Sequence, residues 1–385
     1  MAKIKNFLNR LFKLDENQTT VKTELIAGLT TFFAMCYIVI VNPNQMTGFS
    51  GLGAIWNACF LGGIIAAVIA TCCMAFIANK PFALAAGMGL NSFFFVSFIL
   101  PCFLMNEDPT LGYSAGLAII LISGIIFLIL SLTGVRKYIA TSLPKTLKVA
   151  IPAGIGAFIA FLGFQNSGLV VDNQYTLVQF ADFTHWPTAA TAIVAFVGFI
   201  LIVVFAHSKN RILKGGAVIL GIIGATALYY IFSIFTPELR IATEPTSLGQ
   251  MFSDWFKYGF SFWKGFGIAF NGTLLGSVFS VIMLVITFCL VDMFDTVGTL
   301  YGASASVGLV DENGDPLNVQ EEMLCDAIGT VAGAMTGTST ITTFVESSAG
   351  IGAGGRTGLT ALTTAALFLL CIFLGPLVVS GSSCK

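Results

Sequence analysis

Charge is what this sequence has least of. Lys, Arg, Asp and Glu make up 10% of its 385 residues, where a soluble globular chain carries about 25%, so a water-facing surface cannot be covered. The signs nearly cancel, 18 basic against 19 acidic residues. Without a basic face, nucleic acid is excluded as a partner. Histidine is scarcer still. His185, in a loop, and His207, at the end of an apolar run, leave neither a nucleophile–base pair nor a metal set for an intramembrane enzyme. No C-x-x-C spacing occurs among the nine cysteines. Six of them (Cys36, Cys59, Cys72, Cys73, Cys289 and Cys371) sit in apolar runs, where a thiol packs as a small hydrophobe. The N-terminal stretch MAKIKNFLNRLFKLDENQTT has no long apolar core, so no cleavable signal peptide is expected.

What is abundant is apolar: 56% of residues are hydrophobic and mean hydropathy is +0.91. A bilayer-spanning helix needs about 20 mainly apolar residues. Such runs lie at 24–41, 54–78, 113–134, 149–165, 187–206, 213–235, 276–300, 322–337 and 357–378. Two more, 81–100 and 338–352, are interrupted by Gly, Pro and Thr clusters. An all-α, polytopic membrane protein is expected.

Basic residues orient it. Lys3, Lys5, Arg10, Lys13 and Lys22 precede the first span, Lys80 follows the second, Arg136, Lys137, Lys145 and Lys148 the fourth, and Lys209, Arg211 and Lys214 the sixth. The connections between carry Glu107, Asp108, Asp172 and Asp182. This alternation puts the N-terminus in the cytoplasm. After seven segments the second half runs with the opposite orientation. Residues 236–270, with Trp255 and Trp263, read as an outside loop, either plain with aromatic anchors or ending in an interfacial amphipathic segment.

An inverted repeat follows from the order of parts. Residues 59–91 place a span, a short β-prone piece and then glycines opening a new segment, and 325–352 repeat that order. SAGLAIILISGIIFLILSLTG at 114–134 likewise matches RTGLTALTTAALFLLCIFLG at 356–375. Inverted repeats with broken helices place a binding site near the bilayer midplane. The second repeat shows four segments before the sequence stops, and the last segments of its half are expected to be missing.

Three carboxylates sit where a membrane disfavours them. Asp292 and Asp295 share one face of a span at i, i+3 spacing, and Glu346 follows the β-branched run TSTITTFV at the start of a short half-helix. Each costs about 2.5–3.5 kcal/mol at a helix centre, so each must face water or carry a proton. No Lys or Arg lies in these spans to pair with them. In the first repeat, PFALAAGMGLNSFF offers Gly87 and Gly89 for close backbone approach and Asn91 as donor and acceptor. Asp326, at a span entrance, reads as structural. The polar residues cluster in one place rather than lining a pore, which argues against a channel.

TVKTELIAGLTTFFAMCYIVIVNP, PFALAAGMGLNSFF, SLPKTLKVAIPAGIGAFIAFLGFQNSG, VDMFDTVGTLYGAS and TGTSTITTFVESSAGIGAGGRTGLTA together resemble the purine permeases of the azaguanine-like branch of the nucleobase–cation symporters. The resemblance implies inverted seven-segment repeats, with short antiparallel strands in segments 3 and 10 between half-helices. It also implies core and gate domains. On this sequence 1–22 is then a cytoplasmic N-terminal segment, 23–135 the first-repeat core, 136–235 the first-repeat gate, 236–270 the extracellular segment, 271–378 the second-repeat core, and 379–385 a truncated tail. The implied substrate-binding set is Gly89, Asn91, Asp292, Glu346 and Ser347, and the proton-coupling set Asp292, Asp295 and Glu346, with no catalytic residue, metal or cofactor beyond the coupling proton. The implied function is proton-coupled uptake of purine nucleobases across the cell membrane, with guanine or hypoxanthine favoured. Adenine as substrate, sodium in place of protons, a homodimer, and a truncated remnant that only binds purine stay open.

Overall fold

The computed structural model describes residues 2–50, 52–135, 138, 142, 144–181, 183–209, 213, 216–239, 246–272, 274–307, 310, 311, 316 and 319–376. Arg136, Lys137, Asp182, Arg211, Lys214 and the tail 379–385 lie outside these residues. The chain divides into two compact units, Met1–Pro152 with Thr243–Lys385, and Ala153–Ala242.

The first unit opens with α1 (Ala2–Phe12) and α2 (Val21–Met35), whose N-cap Thr20 accepts from the Thr23 N–H. Past Cys36 and Tyr37 comes α3 (Ile38–Met46), so the first span is jointed. At the joint, Val39 and Ile40 donate to Cys36 and Tyr37 at 3.3 and 3.1 Å, a 3₁₀ tightening. α4 (Gly53–Cys73) continues through a π turn to Ala78 and ends at Asn79 in the left-handed region, φ 49°. β1 (Leu84–Ala86) leads into α5 (Met88–Phe94), joined by a π turn to α6 (Leu100–Met105). α7 (Pro109–Leu132) begins with Pro109 in its first turn, where a missing N–H is harmless, and with Asp108 as N-cap.

α8 (Lys145–Asn166) leads into the second unit, which holds the hairpin β2 (Val170–Asn173) and β3 (Leu177–Phe180), then α9 (Trp186–Ala206) and α10 (Ala217–Phe235) packed on each other. Trp186 Nε1 donates to Thr236 Oγ1 at 2.8 Å, tying the start of α9 to the end of α10. The hairpin was not foreseen; its register runs Val170↔Phe180 to Asn173↔Leu177.

Back in the first unit come α11 (Leu248–Asp254), a π turn at Trp255–Gly259 and α12 (Phe262–Phe270). Residues 248–270 are therefore mostly helical and pack on α4 and α7. The two tryptophans part company. Trp255 donates its indole N–H to Thr336 O at 2.7 Å, whereas Trp263 is exposed. α13 (Val278–Val307), α14 (Val319–Thr336), β4 (Ile341–Thr343), α15 (Ser347–Gly352) and α16 (Gly358–Leu370) complete the unit.

Seven helices among the described residues are long and apolar enough to cross a membrane, from Val21–Met46 to Val278–Ser304. Their packing carries the repeat. α4 lies on α16 as α14 lies on α7, and α2 touches α15 as α13 touches α5. The two strands pair antiparallel with each other, Leu84↔Thr343, Ala85↔Thr342 and Ala86↔Ile341. One threonine braces each strand. Thr71 Oγ1 accepts from Leu84 N–H at 3.0 Å and donates to Leu84 O at 3.1 Å. Thr330 Oγ1 does the same for Ile341, both at 3.2 Å. The protein is an all-α polytopic membrane protein built as an inverted repeat with broken helices and two short strands.

Candidate substrate site at two broken helices

A three-residue strand spans about 10 Å, and a half-helix starts at each end of this strand pair. At one end Gly87 N–H donates to Thr340 O at 2.9 Å and α5 begins. At the other Phe344 N–H donates to Ala83 O at 3.0 Å, and α15 begins with Glu346 as its N-cap. The first N–H groups of a helix have no intrahelical partner and attract acceptors and negative charge.

A carboxylate stands at each end. Asp295 reaches the α5 end: a Cβ on Gly87 would lie 3.3 Å from Asp295 Oδ2 and 3.4 Å from Thr340 Oγ1. Glycine at 87 leaves that approach open. Glu346 stands at the α15 end, half-buried, and Tyr37 Oη donates to its Oε1 at 2.5 Å. α15 cannot drift from this position. It is pressed on α2 so closely that a Cβ on Gly350 would run into Thr31 Oγ1 and come within 2.6 Å of Ala27 O.

Asp292 is buried beneath, accepting from Thr330 Oγ1 at 3.1 Å, so the threonine that braces β4 also holds one candidate proton carrier. The i, i+3 pair on α13 is thus split, Asp292 facing α14 and Asp295 facing the start of α5. Asp326, fully buried, accepts from Thr296, from Thr343 at 3.0 Å and from Thr342 at 3.4 Å. A carboxylate stripped of water survives when hydroxyls replace the water.

The remaining candidates sit differently. Gly89 lies in the first turn of α5, half-buried. Asn91 is fully buried, donating to Asn42 Oδ1 at 3.0 Å and accepting from Ser339. Ser347, also fully buried, accepts from Ala83 N–H at 3.0 Å. Asn91 thus ties α5 to α3 and to the segment before β4, and Ser347 ties the start of α15 to the residue before β1.

Two residues escaped the sequence reading. Tyr37 lies mid-span and looked like any interior aromatic. Glu24 is fully buried and accepts the N–H groups of Arg356, Thr357 and Thr360 at 2.9, 3.2 and 3.3 Å, with both threonine hydroxyls. It anchors the start of α16 to α2. A carboxylate in the first turn of a span that opens on Thr20 was the available signal.

The sequence profile of the Permease family matches residues 22–382. The chain belongs to this family. The permease is 38% identical over 373 residues to the guanine/hypoxanthine permease PbuO of Bacillus subtilis, covering 96% of this chain and 78% of that protein. It is 35% identical to the adenine permease AdeP of Escherichia coli, covering 96% and 75%. Both of these relatives are purine permeases, the group that the motifs resemble, and as a member of the Permease family the chain is a permease and not an enzyme. In fold it is similar to the transmembrane domain of the cyanobacterial bicarbonate transporter BicA, with TM-score 0.59 at 15% identity, covering 93% of this chain and 83% of that one.

Proposed function

We propose that this permease takes up purine nucleobases with protons, guanine or hypoxanthine before adenine. The observation that carries the reading is the pair of carboxylates, Asp295 and Glu346, one at each end of the strand pair where the half-helices begin. Along one edge guanine presents adjacent N–H donors beside a carbonyl. Glu346 accepts the N–H groups, with bonds about twice as strong as neutral ones, and the first turn of α5, Gly89 included, donates to the carbonyl. Asn91 and Ser347 hold that geometry. Asp292 and Asp295 exchange the coupling proton, and protonation neutralises the loaded core before it crosses the low-dielectric bilayer.

The N-terminus is cytoplasmic in this reading, in the cell membrane, and the alternation of basic connections supports it. The core is 23–135 with 271–378 and the gate 136–235. The separate compact unit Ala153–Ala242 supports a gate of its own. Identities of 38% and 35% to a guanine/hypoxanthine and an adenine permease favour the first substrate only slightly, so adenine stands as the second reading.

Proteoliposome uptake under imposed pH gradients, with unlabelled bases as competitors, tests this. Glu346→Gln is expected to weaken purine binding about tenfold or more, since a hydrogen bond to a charged group is worth about 1.5–3 kcal/mol. Asp292→Asn is expected to abolish pH-driven accumulation and leave some exchange. Unchanged affinity in the first variant, or accumulation against a gradient in the second, would refute the respective assignment.

A further inference from the structure

The start of α14 carries a carboxyl group that the candidate site does not use. Glu322 is only 1% exposed, and among the described residues its Oε2 is buried without a hydrogen-bond partner. Gln320 and Glu321, just before it, are exposed, so this buried acid lies one residue from solvent. We propose that Glu322 is a proton-relay residue, passing the coupling proton between the cytoplasmic face and the site by way of Asp326 and Asp295. The inference rests on the reading of this permease as proton-coupled.

Helical period puts the groups in file. Residues 322, 326 and 330 stand at i, i+4 and i+8, one stripe along one face of α14. Asp326, fully buried, acts electrostatically on Glu322 one turn before it and on Asp295 of α13. Thr342 of β4 stands between the last two. Its Oγ1 donates to Asp326 Oδ2 at 3.4 Å, and its methyl lies 3.5 Å from where a Cβ on Gly87 would be, with Asp295 Oδ2 3.3 Å from the same point. Thr330, the third position of the stripe, holds Asp292. The acids therefore lead from solvent at the start of α14 to the mouth of α5. Chains of intramembrane carboxyl groups are how pumps and transporters relay protons.

The open end of the file lies on the side of the N-terminus. α14 packs on the π turn that closes α4, and Asn79, just past that turn, donates to Phe12 O of α1 at 3.1 Å. Lys80 follows, half-buried, and is the cation that acts on Glu322, with Glu321 and Asp326 as the acids. The thiols of Cys73 and Cys325 are the other titratable groups at this end. Of the remaining elements on α14, α13 brings Asp292 and Asp295, while α7, β1 and β4 bring no charged side chain. The step is proton transfer alone. The O–H bond of protonated Asp295 breaks as the proton joins the Asp326 carboxylate; Asp326 passes a proton to Glu322, and Glu322 gives one up to water beside Glu321. Each carboxylate is restored, and Lys80 balances the charge left on Glu322.

The test uses the full chain in proteoliposomes enclosing a pH-sensitive dye, with hypoxanthine added outside, or adenine if the parent binds only that base. The parent is compared with Glu322→Gln, Glu322→Asp and the exposed control Glu321→Gln. Glu322→Gln is expected to slow base-driven acidification of the lumen about tenfold or more, the scale of a lost proton-transfer group, with equilibrium binding of the base within about twofold of the parent. Glu322→Asp keeps the acid one methylene short and should fall between the two rates, while Glu321→Gln should match the parent. Parental acidification in Glu322→Gln, or equal slowing in Glu321→Gln, overturns the inference alone. If Glu322→Gln does not bind the base, Glu322→Asp decides: slowed acidification with parental binding supports the relay, and any other result overturns it. If the parent itself shows no base-driven acidification, the reading of proton coupling falls as well.

Discussion

The braces on the two strands make a prediction that the repeat itself controls. Thr71→Val and Thr330→Val remove hydroxyls in equivalent places while keeping side-chain shape. Each leaves a buried strand N–H, that of Leu84 or Ile341, without its acceptor, and the carbonyl of the same residue without a donor. A buried unsatisfied group costs about 1–3 kcal/mol. The two variants are therefore expected to lower the apparent melting temperature by similar amounts, on the order of 5 °C for a chain of this size, in detergent-solubilised protein. Their effects on coupling should differ. Thr330 also donates to Asp292 Oδ2, whereas among the described residues no carboxylate is hydrogen-bonded to Thr71. Thr330→Val alone is expected to change the pH dependence of uptake. A neutral Thr71→Val beside a damaging Thr330→Val would refute the structural equivalence of the braces. Equal loss of pH-driven uptake in both would refute the special tie to Asp292.

Glu24→Gln should be among the most damaging conservative changes, because an amide nitrogen would face N–H groups where a carboxylate now accepts from Thr357 and Thr360. A loss of at least about 3 kcal/mol is expected from two or more bonds to a charged group, read as a fall in melting temperature of the purified chain. Gly350→Ala inserts a methyl against Ala27 O and Thr31, and overpacking of this kind costs about 1–3 kcal/mol. It should also displace Glu346, so purine affinity is expected to fall along with thermal stability. Normal affinity in a destabilised Gly350→Ala variant would uncouple the α2–α15 contact from the site.

Much of this permease could be read along the chain, for a physical reason. A bilayer demands long apolar runs, and it makes every internal carboxylate costly enough to need a purpose. The spans, the broken segments around 81–100 and 338–352, and Asp292, Asp295 and Glu346 all announced themselves by violating or obeying that single constraint. Which groups meet is another matter. A hydrogen bond needs atoms within about 3 Å, and no pattern along the sequence reports a distance between residues 309 apart such as Tyr37 and Glu346. Tyr37 looks apolar in its run, and it became a polar partner only when α15 folded down on α2. Asn91, singled out for its donor and acceptor, is hydrogen-bonded to Asn42 and Ser339, partners that no sequence pattern names, because burial of an amide requires them. The split of Asp292 from Asp295 arose the same way. Their spacing put both on one face of α13, but α14 and α5 cover different parts of that face, so packing alone assigned one to Thr330 and the other to the mouth of α5.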